Sequence, residues 1–264
     1  MLKFAANLTF LFTELPFMER FEAAKKAGFS YVEFMFPYDI DEEIEKQLKQ
    51  HGLKVVLFNL PAGDWDNGER GIAVDPNRRT EFREGVNKAV KIAKRFGVSN
   101  VNCLVGKAED PSLSGEIWDG LLENICYAAD ELAKQGLNLM VEPVNHYDVP
   151  GFYLNTTEQV LKLISDINRP NVYLQYDIYH AEREGESHKE IISKNFHKIG
   201  HIQIADNPGR NQPGTGVIDF SFILAELERL GYNGYISMEY KPKPNTIESL
   251  EWIKSFPYKL LIKD

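Results

Sequence analysis

The chain has 264 residues, 43% of them hydrophobic and 26% charged, an ordinary globular mixture long enough to bury a core without disulfides. A net charge of −9 weighs against a protein built to hold a phosphate backbone, which needs a basic face, so no nucleic-acid partner is expected. The opening MLKFAANLTFLFTELPF is interrupted by Asn7, Thr9 and Glu14 and reads as neither a signal peptide nor a membrane span. A soluble cytoplasmic protein is therefore expected.

Short apolar runs alternate with helical patterns along the whole chain. KFAANLTF from Lys3 precedes PFMERFEAAKKAGF, and YVEFMF from Tyr31 precedes DEEIEKQLKQHG, whose early acids and terminal His51-Gly52 suit a helix dipole and C-cap. KVVLFNL from Lys54 is followed by the longest irregular stretch, Pro61 to Asn77, and then by RRTEFREGVNKAVKIAKRFG. VNCLVG from Val101 leads to GEIWDGLLENICYAADELAKQG, and NLMVEPV from Asn138 to TTEQVLKLISDI. VYLQYD from Val172 leads to SHKEIISKNF, HIQIAD from His201 to DFSFILAELERLG, and YISMEYK from Tyr235 to NTIESLEWIKSF. Cys103 and Cys126 sit in apolar contexts and are expected as buried free thiols.

Eight strand–helix alternations predict a parallel sheet, and closing it gives a (β/α)8 barrel in one domain spanning 1–264. An open doubly wound sheet would show a glycine-rich phosphate loop after an early strand, and TFLFTELPF has no glycine. The long Pro61–Asn77 connection, a βα loop in such a barrel, reads as functional rather than idle.

Barrel enzymes carry their chemistry at the C-terminal ends of the strands. Those ends here hold Glu142 in LMVEP, Asp177 in LQYD, Gln203 in HIQIAD with Asp206 just beyond, and Glu239 with Lys241 in ISMEYKP. Any one such carboxylate is commonly a helix cap or an arginine's partner. Three on neighbouring strands would repel one another in a low-dielectric mouth. A divalent cation resolves that conflict, and two Glu, one Asp and a neutral Gln oxygen form a hard, oxygen-rich set that suits Mg2+ or Mn2+ better than Zn2+. His180, three residues after Asp177, is placed to touch a substrate oxygen.

The motifs resemble the hydroxypyruvate isomerase family within the xylose isomerase-like barrels. The matching stretches run from FAANLTFLFTE through VEFMFPY, LFNLPAGDW with GERG, VNCLVG, VEPVN with DVPGFYLNTTEQ, and LQYDIYH to HIQIADNPGRNQPGTGVIDF and GYISMEYKP. The resemblance implies metal ligands at Glu142, Asp177, Gln203 and Glu239, with Glu142 and Glu239 as the acid/base pair. It implies a small sugar-acid substrate, with a proton moved between adjacent carbons through an enediolate. The family often has a basic residue near position 147, where this chain has Tyr147. The substrate carboxylate is then left to Arg70 or Lys241, each equally readable as half of a surface ion pair.

Three other readings compete with this one. Isomerisation of a longer 2-oxo acid such as a 2-oxo-tetronate needs only a longer pocket. An apurinic-site endonuclease would need a zinc cluster of histidines, and the chain has six histidines in all. A non-catalytic sugar-acid binder would have no use for two acid/base glutamates. The sequence is silent on oligomeric state and allows a homo-oligomer.

Overall fold

The computed structural model describes residues 2–108 and 114–255. Eight strands, β1 (Lys3–Asn7), β2 (Tyr31–Glu33), β3 (Lys54–Asn59), β4 (Asn100–Cys103), β5 (Asn138–Val141), β6 (Val172–Asp177), β7 (Ile199–Ile204) and β8 (Tyr235–Met238), close into a barrel in sequence order. Every pairing is parallel, including the β1–β8 seam from Lys3↔Tyr235 to Ala6↔Met238. The expected (β/α)8 barrel is the observed one. Around it lie α1 (Glu19–Lys26), α2 (Asp41–His51), α3 (Arg79–Phe96), α4 (Ser114–Ala133), α5 (Thr157–Ile167), α6 (Ile178–Arg183), α7 (His188–Asn195), α8 (Phe220–Arg229) and α9 (Thr246–Ser249). Among the described residues no helix is long and apolar enough to cross a membrane.

The period-2 alternation of strands decides what faces inward. Phe4 and Ala6, Leu139 and Val141, Leu174 and Tyr176, and Ile236 and Met238 join the large cluster between barrel and helices. The residues between them face the interior. Low in the barrel these are Ala5, Leu57 and Met140, which form a separate apolar plug with Tyr31, Tyr173 and Tyr235. Gly200 sits against this plug because a Cβ there would lie 2.6 Å from Met140 Sδ. One inward step further along the strands the interior becomes polar, with Asn7, Gln175, Gln203, Ser237 and Glu239 all buried. Register shifts at Val32/Glu33 and at Leu174/Gln175 adjust the alternation on β2 and between β6 and β7, where Gln175 pairs with His201.

Several sequence expectations change in detail. Leu8–Phe10 leaves the strand and forms turns, with Leu11 N donating back to Asn7 O at 2.8 Å. A short helix, α6, follows β6 without a loop because Asp177 Oδ1 caps it, accepting from Tyr179 N at 2.8 Å. The segment read as a last helix is one turn of α-helix followed by a 3-10 helix over Leu250–Ser255, and its Phe256 lies outside the described residues. Both cysteines are free, but only Cys103 is buried, since Cys126 lies on a partly exposed position of α4.

The Pro61–Asn77 connection is anchored where it crosses the end of β4. Gly71 has φ +115°, and a Cβ there would lie 1.9 Å from Leu104 O. Gly68, at φ +91°, has open space around it. Gly71→Ala is therefore expected to lower stability by more than about 2 kcal/mol, against about 1 kcal/mol for Gly68→Ala. Urea unfolding of both variants checks this, and equal losses would remove the close approach as the anchor.

Candidate active site

The strand ends open into a cavity of about 480 Å³ whose lining includes Glu33, Trp65, Glu142, His180, Arg210 and Glu239. Glu142 and Glu239 each fall one residue past a strand, where the alternation turns them inward, and both are buried. Asp177 is set just behind the lining at 2% exposure, and its Oδ2 lies 3.5 Å from both His180 Nε2 and Arg210 Nη2. The structure thus brings together Glu142, Asp177, His180, Gln203 and Glu239, all chosen from sequence.

Amides fix the two glutamates. Asn102 Nδ2 and Gln175 Nε2 each donate to Glu142 Oε2 at 2.9 Å. Asn7 Nδ2 at 2.9 Å and Gln203 Nε2 at 3.0 Å donate to Glu239 Oε1. Gln175 also donates to Gln203 Oε1 at 2.8 Å, so one chain of amides runs from Glu142 to Glu239. Beneath it Glu33 accepts from Asn7 and Gln203, both at 2.8 Å, and meets His201 Nε2 at 2.7 Å.

The main cation is Arg210, which the sequence reading did not single out. Its guanidinium donates to Glu239 Oε2 at 2.5 Å and lies between the rings of Phe10 and Tyr179, at 4.9 and 5.0 Å. Burial alone would lower its pKa, but Glu239, Asp177 and Glu142 more than offset this. Against this one guanidinium stand four buried carboxylates, Glu33, Glu142, Asp177 and Glu239. Burial, then Glu239 and Asp177, push Glu142 well above the ordinary glutamate range. Burial also raises Asp177, against the pull of Arg210. Glu239 is raised to about 8, chiefly by burial and with Arg210 opposing.

His180 is held in one tautomer. Asn145 N, a backbone donor that cannot reverse, points at Nδ1 from 3.3 Å. Asn145 Nδ2 reaches the same atom at 2.5 Å, and Asn145 Oδ1 is oriented by accepting from Asp148 N at 2.9 Å. The ring proton therefore sits on Nε2, facing Asp177 Oδ2 at 3.5 Å and Glu142 Oε1 at 4.0 Å. Burial, reinforced by Arg210, keeps the ring neutral by lowering its pKa well below the usual value.

Arg70 and Lys241 both line the cavity. Arg70 stacks on Trp65, 3.9 Å from the ring centroid, and donates to the carbonyls of Trp65 and Glu69. Lys241 is anchored through its backbone, with its N donating to Arg210 O at 2.7 Å. Tyr147 is 57% exposed and packs on the Arg183 guanidinium at 4.8 Å. Asn7, Glu33, Asn102, Gln175 and His201 were missed from sequence. A charged or amide residue inside an apolar alternation was the available signal.

A sequence model of the xylose isomerase-like TIM barrel matches residues 21–256. The hydroxypyruvate isomerase of Escherichia coli strain K12 is 48% identical over 97% of this chain and 100% of its own length. The chain belongs to the hydroxypyruvate isomerase family of xylose isomerase-like TIM barrels. It is an isomerase of that family. A 2-oxo-tetronate isomerase of Haemophilus influenzae is 37% identical over 96% of this chain and 99% of its own. The crystal structure of a Brucella melitensis protein described as an AP endonuclease of family 2 superposes with a TM-score of 0.94 at 38% identity, covering 97% of this chain and 99% of that one.

Barrels of this family type commonly hold a metal, and the residues present fit one. Donor atoms of Glu142, Asp177 and His180 lie within 4.8 Å of one another. Because Nε2 of His180 carries a proton, oxygen donors are the better set. Glu142 and Asp177 offer such oxygens within that group, and Glu239 and the Oε1 of Gln203, which keeps a lone pair beyond its bond to Gln175, line the same cavity and could join them. The buried Gln175 Oε1 has no partner among the described residues. An all-oxygen set with excess negative charge suits a hard divalent cation.

The raised carboxylates set a sign for stability. Glu239 holds its proton to about 8 in the fold and to about 4.5 when unfolded, so the unfolded chain binds fewer protons between those values. Its contribution is full below about 4.5 and is lost as pH rises through about 8. The melting temperature without divalent cation should fall across that window, less steeply in Glu239→Gln. Mn2+ or Mg2+ should restore it, with a shift that grows with pH as the cation displaces these protons. Melting curves unmoved by either cation or by chelator at every pH would count against a cation site.

Proposed function

We propose that the protein isomerises a small 2-oxo hydroxy acid, with hydroxypyruvate and tartronate semialdehyde as the interconverted pair. The observation that carries this reading is the placement of two raised carboxyls, Glu142 and Glu239, in one buried cavity beside neutral His180 and Arg210. Carboxyls whose pKa approaches the working pH can both take and return a proton, an effect typically about 10²–10⁴-fold.

In the forward direction one glutamate removes a proton from the hydroxymethyl carbon, and electrons move onto the neighbouring carbonyl oxygen to give an enediolate. His180 Nε2–H and the Arg210 guanidinium donate to the oxygens that gain charge. Arg210 Nε is buried and has no hydrogen-bond partner among the described residues. A proton then returns to the former carbonyl carbon from the second glutamate, while a proton shifts between the two oxygens. The amides of Asn102, Gln175, Asn7 and Gln203 keep each glutamate aimed throughout. A divalent cation held by Glu142, Asp177, Gln203 and Glu239 would supply Lewis-acid stabilisation of the oxygens, and Mg2+ or Mn2+ matches the donor set. Arg70 and Lys241 are the cations of the outer wall available to the carboxylate of the substrate. An acid-lined cavity of this kind suits a small hydroxylated oxo acid better than a polyanionic backbone.

A four-carbon 2-oxo acid is the second reading. The cavity of about 480 Å³ leaves room beyond a three-carbon substrate, and the Haemophilus relative carries the name 2-oxo-tetronate isomerase.

Incubation of Mg2+- or Mn2+-loaded protein with a panel of 2-oxo acids, followed by NMR, should show conversion of hydroxypyruvate or its four-carbon homologue. No conversion of any member would overturn the reading. Glu142→Gln and Glu239→Gln should each lower kcat by at least about 100-fold, with metal content measured alongside. A variant that keeps its metal and near-normal turnover is not the proton carrier. Product formed in D2O should carry deuterium on the former carbonyl carbon, and a product free of label would replace glutamate transfer by a hydride shift. Arg70→Met or Lys241→Met, whichever removes the carboxylate contact, should raise KM by about 10-fold or more with little change in kcat.

A further inference from the structure

Arg210 owes its place to a loop, and the loop is organised by one carboxylate outside the catalytic cavity. Asp206 lies two residues past β7 and is 1% exposed. Its Oδ1 accepts from Asn207 N at 2.9 Å and Ile218 N at 3.2 Å, and its Oδ2 accepts from Gly214 N at 2.9 Å and Gly216 N at 2.8 Å. The two ends of the loop are thereby drawn onto a single side chain. Asp206 N also donates to Asn211 O at 2.8 Å, and Val217 N to Asn207 O at 3.0 Å. The closure leaves no slack, since a Cβ on Gly216 would lie 1.9 Å from Asn207 O.

The loop is then pinned to the chain beyond β8. Lys241 N donates to Arg210 O and Asn211 Nδ2 to Lys241 O, both at 2.7 Å. Arg210 itself is held at φ +52°, a left-handed conformation that a non-glycine residue keeps only when its surroundings impose it. That backbone is what turns its side chain inward to Glu239 and Asp177.

We propose that Asp206 is a positioning residue that sets the location of the Arg210 guanidinium, and through it the catalytic competence of the site. This rests on the reading of Arg210 as part of an isomerase site. Asp206→Asn is a demanding probe, because an amide replaces one acceptor edge by an NH2 group. In one orientation that group faces Gly214 N and Gly216 N, and in the other Asn207 N and Ile218 N. Neither orientation satisfies the four backbone donors.

The test combines an activity-independent signal with a kinetic cycle. In wild type the guanidinium N–H signals of Arg210, identified by their loss in Arg210→Met, should be resolved and slowly exchanging in 15N NMR at low temperature. In Asp206→Asn they should broaden or exchange faster, together with the amides of Gly214, Gly216 and Ile218. Asp206→Asn should lower kcat/KM by about 10–100-fold, yet by less than about 3-fold when Arg210 is already Met, because residues acting as a unit are not additive. A merely structural role would give additive losses in the cycle. If Asp206→Asn does not fold, Asp206→Glu keeps both acceptor oxygens one methylene displaced and should move the same readouts in the same direction. Unchanged Arg210 signals in a folded Asp206 variant, or additive kinetic losses, would overturn the proposal. A wild type with no activity on any 2-oxo acid would overturn the isomerase reading alone, and the NMR comparison would still decide whether Asp206 places Arg210.

Discussion

One guanidinium among four buried carboxylates is the constraint from which the rest of the site follows. Arg210 bridges Glu239 and Asp177, and its single charge does not balance the acids around it. Removing charges from water is costly unless they are paired or lose their charge. The fold meets this in three ways at once. It places Arg210 between two of the acids, raises the proton affinity of Glu142 and Glu239 through burial, and surrounds the acids with amide N–H groups. Each also suits the proposed chemistry. A carboxyl that readily holds a proton can donate it, a fixed guanidinium can meet developing negative charge, and excess acid attracts a divalent cation. A cation shared by Asp177 and Glu239 would compete with Arg210 for the same oxygens, so any ion bound there changes which charges Arg210 must satisfy.

The amides explain how the acids stay aimed. Asn7, Asn102, Gln175 and Gln203 carry no charge, so they add directional donors without adding to the electrostatic imbalance. Their orientation is not arbitrary. Asn7 Oδ1 accepts from Thr9 N at 2.9 Å, which turns its NH2 group towards Glu33 and Glu239. Gln203 places its NH2 group on the same two acids and leaves its oxygen for Gln175. Glu33 is therefore a fixed acceptor that shares the donors Asn7 and Gln203 with Glu239.

The barrel and its cluster of buried acids were legible because both are written in the strands. Strand and helix periods alternate along the chain, and Glu142, Asp177, Gln203 and Glu239 interrupt apolar runs at their C-terminal ends, where a barrel displays chemistry. Arg210 was not legible on its own terms. It lies in an irregular loop with no periodicity, and its inward course depends on hydrogen bonds between Asp206 and residues up to twelve positions away. Glu33 and Gln175 were hidden differently. Each sits in an apolar run short enough to read as pure core, and inward facing becomes functional only once eight strands are known to converge. Helix α6 escaped because its start signal, Asp177, was already read as a strand-end acid. The structure shows Oδ1 capping the helix while Oδ2 faces the site.

The vertical order of the barrel separates stability from chemistry. At the bottom, Ala5, Leu57 and Met140 with three tyrosines close the interior as an apolar plug. Above it comes a layer of amides with His201 and Glu33, and above that the acids, His180 and Arg210. A substitution in the plug acts on packing, whereas one in the top layer acts on charge and proton position. The middle layer couples the two, since its backbone belongs to the strands and its side chains aim the glutamates. Loops at the mouth complete the cavity wall. Trp65 and Arg70 arrive from the connection pinned at Gly71, and Lys241 arrives from the segment tied to Arg210. Under the proposed function, a barrel arranged this way would change the length or charge of its substrate through those outer residues while the layer of acids stays as it is. The same layering is consistent with relatives of one overall fold that carry the names of isomerases for three-carbon and four-carbon acids.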